Sequence, residues 1–158
     1  MNKWCVDYTG NIFDTNVDCI GHGVNCIGLM GAGLAAQIKK LYPTVFNAYK
    51  AKCDGVGGFY PGEVQFVKSA IPMQHSVIDS RRYIANMATQ YLPGRDATLE
   101  RVNIALHNAY VNKPADVMSF AFPQIGCGIG GLSWVDVKPL IIDYSNSFGI
   151  YTELWSLA

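Results

Sequence analysis

Two glycine-rich segments hold the residues of this sequence that are best suited to binding an anion. The first, residues 21–35, lies between a predicted strand and a predicted helix. The second, residues 123–132, follows an apolar strand and precedes a helix with a capping residue. Glycines allow the backbone to approach a ligand, and a helix N-terminus offers unpaired N–H donors. Two such loops in one small domain predict a site that clasps an extended ligand carrying a diphosphate.

Neither segment matches a common phosphate-binding motif. No Gly-Lys-Ser/Thr follows the first segment, so it is not a Walker A loop. Residues 28–33 lack the spacing of the dinucleotide-binding fingerprint, and no acidic residue ends a following strand. One such loop alone is better explained by tight turns, so the prediction depends on the pair.

Strand-like and helix-like segments alternate around these two loops. Strands are predicted at residues 4–6, 17–24, 63–68, 83–87, 116–122 and 149–154. Helices are predicted at residues 34–42, at 44–49 with Thr44 as the cap, after Asp96, and after Ser133 with a kink or later start at Pro139. This alternation predicts an α/β domain whose sheet is covered on both faces, with ligands in the loops at strand ends.

Two smaller features of the strands carry expectations of their own. Gly21 and Gly23 interrupt the second strand, which predicts a close approach by a ligand or by another chain segment. Arg81 and Arg82 are expected to form a solvated start to the fourth strand rather than a phosphate clamp.

Composition bounds the class of protein. The 158 residues fit one domain, and twelve Lys and Arg balance twelve Asp and Glu. No basic stripe is present, so charge does not predict direct nucleic-acid binding. No apolar run approaches the roughly 20 residues that span a bilayer, and no signal peptide is read. Five cysteines without CxxC spacing predict neither a zinc site nor a disulfide framework, but reduced, mostly buried thiols in a cytoplasmic protein. No metal and no cofactor are expected.

The sequence resembles the macrodomain family, whose members bind ADP-ribose. The resemblance is carried by residues 10–12, by Asn25 with residues 30–35, and by residues 122–128 with 132–134. It is strongest to a compact subgroup that holds the fungal ADP-ribose 1''-phosphate phosphatase, the terminal ADP-ribose protein glycohydrolase and the antitoxin macrodomains that remove ADP-ribose from DNA. It implies a single macrodomain over residues 1–158, folded as a three-layer α/β/α sandwich around a mixed, largely parallel sheet.

The resemblance also implies where ADP-ribose would lie. Asn11, Ile12 and Tyr151 are expected at the adenine, where the amide oxygen of Asn11 can accept a hydrogen bond. Asn25 is expected to contact the distal ribose. The residues expected around that ribose and the diphosphate are Gly31, Ala32, Gly33, Leu34, Gln124, Gly126, Cys127, Gly128, Ile129 and Gly130.

Two departures from the subgroup bear on the reaction. Relatives that remove ADP-ribose from macromolecules carry a lysine where this sequence has Gln90, and one branch carries an aspartate at Gly130. Glutamine can neither form a Schiff base nor serve as an acid. The phosphatase relative shares His22, Asn25 and the Pro-Gln-Ile of residues 123–125. It has a bulky aromatic residue at Gly130, so a more open distal pocket is expected here.

The leading hypothesis is a metal-independent hydrolysis of ADP-ribose 1''-phosphate to ADP-ribose and phosphate. His22 and Asn25 are the candidate catalytic residues, with His22 transferring a proton or positioning water because histidine titrates near neutral pH. A purely structural role for His22 stays open. Cys127 is a weak candidate nucleophile, because no histidine near it in the sequence could activate it.

Two alternatives stay open beside this hypothesis. One is a non-catalytic reader or sponge of ADP-ribose and related NAD-derived nucleotides. The other is a glycohydrolase that removes ADP-ribose from protein or nucleic acid, with a water placed by Asn25 and the substrate's phosphates. The expected partners are therefore ADP-ribose, its 1''-phosphate or an ADP-ribosylated macromolecule, and no membrane.

Overall fold

The structure, a computed structural model, describes residues 3–70 and 81–157. The strands are β1 (Cys5–Thr9), β2 (Cys19–Val24), β3 (Val64–Ala70), β4 (Arg81–Ala88), β5 (Ser119–Phe122) and β6 (Tyr151–Ser156). The helices are α1 (Gly33–Leu41), α2 (Pro43–Asp54), α3 (Leu99–Val111) and α4 (Trp134–Phe148), and a short 3-10 turn spans Ile12–Asp14. None of these helices is long and apolar enough to cross a membrane.

The six strands form one mixed sheet in the order β1-β6-β5-β2-β4-β3. The pairs β1–β6, β6–β5, β5–β2 and β2–β4 are parallel, and β3 runs antiparallel to β4. The predicted α/β class and the mixed, largely parallel sheet are therefore confirmed. Because β2 lies between β4 and β5, the loops after these three strands meet at one edge of the sheet.

Helices cover both faces of this sheet. On one face, Leu106 of α3 and Ile141 of α4 pack with Phe120 of β5. On the other face, Ile38 of α1 packs with Ile20 of β2. Successive strand residues point to opposite faces, which places Cys19 in the first cluster and Ile20 in the second.

The glycines of β2 are required by packing inside the sheet. A Cβ on Gly21 would lie 2.4 Å from the ring of Phe122, and one on Gly23 would lie 2.7 Å from Oγ1 of Thr89. The close approach predicted at these positions is therefore made by side chains of the two neighbouring strands, Phe122 of β5 and Thr89 directly after β4. No ligand is needed to explain it.

Two helix starts and the course of a third helix differ from their predictions. Helix α2 begins at Pro43 rather than behind a Thr44 cap, because proline suits the first helical position. Helix α3 is capped by Thr98, whose Oγ1 accepts from the N–H of Arg101, and not by Asp96. Helix α4 begins at Trp134, directly after Ser133 as predicted, but the Ser133 side chain makes no cap hydrogen bond and the helix continues through Pro139.

Two strand predictions also need correction. The fifth strand is shorter than residues 116–122, since only Ser119–Phe122 is extended. Arg82 is not solvated: it is buried, and its Nη2 donates to the carbonyl of Thr15 at 2.6 Å. Strand β4 lies inside the sheet between β2 and β3, and six of its eight residues are buried.

Candidate ligand-binding cleft

A cleft of about 430 Å³ opens at the edge of the sheet where β2, β4 and β5 end. Its walls come from the loops that follow these strands and from the first turn of α1. Most of the predicted site residues line it: His22, Asn25, Gly31, Ala32, Gly33, Leu34, Gln124, Gly126, Cys127, Gly128, Ile129 and Gly130. The structure thus brings both glycine-rich segments to one cavity.

The first turn of α1 supplies unpaired N–H donors to this cleft. Ala32 precedes the helix and makes no side-chain cap, and the first intrahelical bond runs from the N–H of Ala36 to the carbonyl of Ala32 at 3.3 Å. The N–H groups of Gly33, Leu34 and Ala35 therefore have no acceptor within the helix. Since these three residues line the cleft, the positive end of α1 faces whatever the cleft holds.

The loop after β5 forms a second set of donors. It is closed by a hydrogen bond of 2.9 Å from the N–H of Leu132 to the carbonyl of Gly126, whose φ is +75°. Within the described ranges, the N–H groups of Gly128, Ile129 and Gly130 have no backbone acceptor. A Cβ added to Gly128 would meet nothing within 4 Å. Successive free N–H groups of this kind make an anion-binding concavity.

Gly130 lines the cleft and is packed tightly against its own loop. A Cβ at this position would lie 2.7 Å from the carbonyl oxygen of Gly126 and 2.9 Å from Cβ of Ala97. On this backbone a side chain would run into the loop itself. Glycine is therefore required at this position by the packing of the loop, and the more open distal pocket expected here stays a prediction.

The side chain of Asn25 holds the first glycine-rich loop together. Its Oδ1 accepts from the N–H of Ile27 at 3.1 Å and of Leu29 at 3.3 Å, and its Nδ2 donates to the carbonyl of Leu29 at 2.8 Å. An amide nitrogen carries two hydrogens. One N–H of Asn25 therefore remains for a ligand, and the expected contact with ribose stays a prediction.

His22 lies near the end of β2, where it lines the cleft, and it is 1% exposed. Its Nε2 is 2.7 Å from Oδ1 of Asn86, and its Nδ1 has no partner among the described residues. Burial lowers the pKa of His22 to about 4, although the hydrogen bond with Asn86 opposes that shift. His22 is consequently neutral at pH 7, and the expectation that it titrates near neutral pH is wrong because it is shielded from water.

The loop after β4 forms the third wall of the cleft, and the side chain of Gln90 hydrogen-bonds within this loop. The Nε2 of Gln90 donates to the carbonyls of Leu92 at 2.6 Å and of Gly94 at 2.9 Å. Both amide hydrogens are thereby used. Sequence reasoning did not assign Leu29, Thr89, Pro93 or Gly94 to the cleft, which they also line. The one sequence pattern that marks this part of the cleft is the Pro93-Gly94 dipeptide, which indicates a turn but does not indicate a ligand.

The cleft holds no strong nucleophile or charged catalyst in the described part of the chain. The Sγ of Cys127 contacts the carbonyl of Ile125 at 3.4 Å, and burial raises the pKa of its thiol. A thiol in that state is a poor nucleophile. Among residues 3–70 and 81–157, no Asp, Glu, Lys or Arg lines the cleft, and no three His, Cys, Asp or Glu side chains form a metal-binding group.

The three residues expected at the adenine lie outside the walls of this cleft. Oδ1 of Asn11 accepts from the N–H of Phe13 at 3.0 Å, which caps the 3-10 turn. Ile12 is buried in the core, and the hydroxyl of Tyr151 donates to Oε2 of Glu153 at 2.7 Å. An adenine contact for these residues stays a prediction.

The fold is an α/β sandwich with a cleft of unpaired backbone N–H donors at its strand ends. Residues 22–141 match the Macro domain family, and the chain belongs to that family. The resemblance inferred from the sequence is thereby confirmed.

Several known proteins are similar to this chain. The chain is 29% identical over 135 residues to the DNA ADP-ribosyl glycohydrolase of Mycobacterium tuberculosis, which covers 85% of this chain and 36% of the relative. It therefore spans about a third of that relative's length. It is also similar to the solved macrodomain of Thermus aquaticus DarG, with a TM-score of 0.79, 26% identity and coverage of 98% and 97%.

A second similar structure contains a ligand. Thermosipho africanus DarTG in complex with ADP-ribose has a TM-score of 0.86 and 23% identity, and the match covers 99% of this chain and 42% of that one. At this identity the similarity establishes the fold.

Proposed function

We propose that this chain binds ADP-ribose in the cleft and hydrolyses the bond that attaches ADP-ribose to a macromolecule. The observation that carries the proposal is the convergence of two sets of unpaired backbone N–H donors, from the start of α1 and from residues 126–130, on one cavity. Relatives named as DNA ADP-ribosyl glycohydrolases support the reaction, and a fold relative solved with ADP-ribose supports the ligand.

The diphosphate is the part of ADP-ribose that these donors suit. Backbone N–H groups and a helix N-terminus bind an anion without any lysine or arginine. This matches a cleft whose described walls contain no cationic side chain. A volume of about 430 Å³ also falls within the roughly 300–1,000 Å³ that is usual for small-molecule sites.

The proposed hydrolysis relies on a bound water. The remaining N–H of Asn25 and the ligand's own phosphates would hold this water near the distal ribose. Its oxygen forms a bond to the anomeric carbon, the bond to the macromolecule breaks, and the water's proton leaves with the departing group. Positioned general acid–base catalysis typically contributes roughly 10²–10⁴-fold. Since Gln90 is tied to the loop and carries no titratable group, we expect slow turnover.

Two measurements test the proposal. Calorimetric titration with ADP-ribose should show saturable binding, and incubation with ADP-ribosylated DNA should release free ADP-ribose over several turnovers. ADP-ribosylated protein serves as a second substrate in the same assay. Val135 is 80% exposed on α4 and does not line the cleft, so the Val135→Ala variant should bind ADP-ribose and release it as the wild-type protein does. Absence of ADP-ribose binding would refute the proposal, and binding without release from either substrate would assign a reader instead.

Hydrolysis of ADP-ribose 1''-phosphate is a second candidate reaction. It is favoured by the presence in the cleft of His22 and of residues 123–125, which the sequence shares with the phosphatase relative. The reaction would be detected as release of inorganic phosphate in step with formation of ADP-ribose. Phosphate release together with no release of ADP-ribose from modified DNA would assign the phosphatase.

A further inference from the structure

A chain of side-chain amides connects helix α2 to His22 across three strands. Nε2 of Gln65 donates to the carbonyl of Ala48 at 3.0 Å, and Nδ2 of Asn86 donates to Oε1 of Gln65 at 3.1 Å. Oδ1 of Asn86 then lies 2.7 Å from Nε2 of His22. Gln65, Asn86 and His22 are direct neighbours in the register of β3, β4 and β2.

The backbone carbonyl at one end fixes the direction of every bond in this chain. A carbonyl oxygen can only accept, so Gln65 must turn its amide nitrogen toward Ala48 and its oxygen toward Asn86. Asn86 must then present its nitrogen to Gln65 and its oxygen to His22. The oxygen of Asn86 accepts, so Nε2 of His22 must carry the proton.

The other ring nitrogen of His22 is left as a hydrogen-bond acceptor. In a neutral imidazole one nitrogen donates and the other accepts. Nδ1 is buried and has no partner among the described residues, while His22 itself lines the cleft. Buried polar atoms in folded proteins are nearly always paired, and leaving one unpaired is costly. Nδ1 is thus a buried acceptor on a cleft-lining residue, and a donor at the cleft would satisfy it.

We propose that Asn86 and Gln65 are positioning residues that hold His22 in the Nε2–H tautomer, so that Nδ1 accepts from a neutral hydroxyl of bound ADP-ribose or from a water. This inference rests on the proposed ADP-ribose site and adds its selectivity: the cleft favours a ligand with a free hydroxyl at His22 over one with a phosphate there.

The selectivity follows from charge. A phosphate monoester oxygen is an anionic acceptor, and an unprotonated Nδ1 is also an acceptor, so the two repel each other and no proton joins them. A ribose hydroxyl or a water can instead donate to Nδ1. Burial keeps His22 in the neutral form at pH 7, so protonation does not convert Nδ1 into a donor.

The first test measures the tautomer directly in the ligand-free protein. The ¹⁵N chemical shifts of the imidazole nitrogens distinguish protonated from unprotonated atoms, and the His22→Gln variant identifies which signals belong to His22. We expect a single neutral form between pH 6 and 8, protonated at Nε2. A spectrum that shows His22 protonated at Nδ1, or as an equal mixture of tautomers, would overturn the proposal.

Two variants test the positioning residues. Gln65→Met removes the bond to Ala48 and frees the amide of Asn86 to rotate, so both tautomers of His22 should appear. Asn86→Asp replaces the amide by a carboxylate of the same shape, which should protonate both ring nitrogens near neutral pH. His107→Gln is the control, since His107 is exposed on α3 and should leave the His22 signals unchanged. Unaltered His22 signals in both variants would contradict the proposal.

The second test compares two ligands by calorimetry. The wild-type protein at pH 7.5 should bind ADP-ribose at least about tenfold more tightly than ADP-ribose 1''-phosphate, which corresponds to ~1.4 kcal/mol. Asn86→Asp should narrow or reverse this ratio, because a protonated Nδ1 donates to phosphate. Equal or tighter wild-type binding of the 1''-phosphate would overturn the selectivity. Failure to bind either ligand would refute the proposed function, whereas the tautomer measurement would still report on the amide chain.

Discussion

The hydroxyl of Tyr49 donates to both oxygens of Asn25, at 2.8 Å from the backbone carbonyl and at 2.7 Å from Oδ1. Tyr49 lies on α2 and is fully buried, and Asn25 begins the first loop of the cleft. One buried hydroxyl thus joins a helix of the outer layer to the residue whose amide closes the loop. The shape of this wall therefore depends on α2 as well as on the glycines.

Removing that hydroxyl should weaken both the fold and the cleft. In Tyr49→Phe, the free energy of unfolding should fall by about 1–2 kcal/mol because a buried hydrogen bond to two acceptors is lost. The dissociation constant for ADP-ribose should rise several-fold, because the loop is less firmly held. Chemical denaturation and calorimetry measure the two effects. Tyr60→Phe is the control, since Tyr60 is 56% exposed and outside the cleft, and equal behaviour of both variants would contradict the prediction.

A side chain at Gly128 should block the ligand and spare the fold. A Cβ there meets nothing within 4 Å and its φ is not positive, so Gly128→Val fits the free protein. The added methyl groups would enter the space of the diphosphate, and ADP-ribose binding should weaken by about tenfold or more. Calorimetry with a thermal melt of the same sample checks this. Normal binding at an unchanged melting temperature would show that the ligand lies elsewhere.

The neighbouring Gly130 should give the opposite result. A Cβ at this position overlaps the carbonyl oxygen of Gly126 and Cβ of Ala97. Gly130→Ala should therefore destabilise the protein by about 1–3 kcal/mol, as overpacking does. The loss should appear in denaturation of the free protein, before any ligand is added. A Gly130→Ala variant as stable as the wild type would mean that the loop backbone is not held in the conformation described here.

Stability should fall in mild acid because of His22. Its folded pKa of about 4 lies below the ordinary value of 6.5, so the unfolded chain binds the proton more readily between these values. The free energy of unfolding therefore decreases as the pH falls from about 6.5 to 4, by about 3 kcal/mol in total. His22→Gln should flatten this slope in denaturation curves at several pH values. If the free energy of unfolding of His22→Gln depends on pH as steeply as that of the wild type, groups other than His22 cause the effect. His107→Gln is the control variant and should keep the wild-type dependence.

The third wall of the cleft should depend on Asp96. Its carboxylate accepts from the N–H groups of Leu92 at 2.8 Å and Tyr91 at 2.9 Å, and these bonds, with Arg101, lower the pKa of Asp96. This stabilisation is present above the unfolded pKa and is lost as the pH falls through the lower folded pKa. In Asp96→Asn the amide hydrogens of residues 91 and 92 should exchange faster with solvent. Unchanged exchange at both positions would contradict the assignment.

The arrangement of elements was readable from the sequence because it is encoded locally. Alternating apolar strands and amphipathic helices predict a largely parallel sheet, and parallel strands bring their following loops to one edge. This pattern predicts that residues 21–35 and 123–132 meet at one edge, and residues of both segments line the cleft. The errors at Pro43, Thr98 and Pro139 concern element boundaries, where competing cap residues lie within a few positions of each other.

The sequence by itself therefore determined the family, the layered α/β fold and the two loops that supply backbone donors. The tertiary structure decided what the side chains in those loops can do. The neutrality of His22 depends on burial, and its tautomer depends on Asn86, 64 residues away. The loop geometry of Asn25 is supported by Tyr49 on another element. The hydrogen-bond partners and the desolvation of these side chains arise only when distant segments pack together. A local sequence pattern therefore cannot predict them.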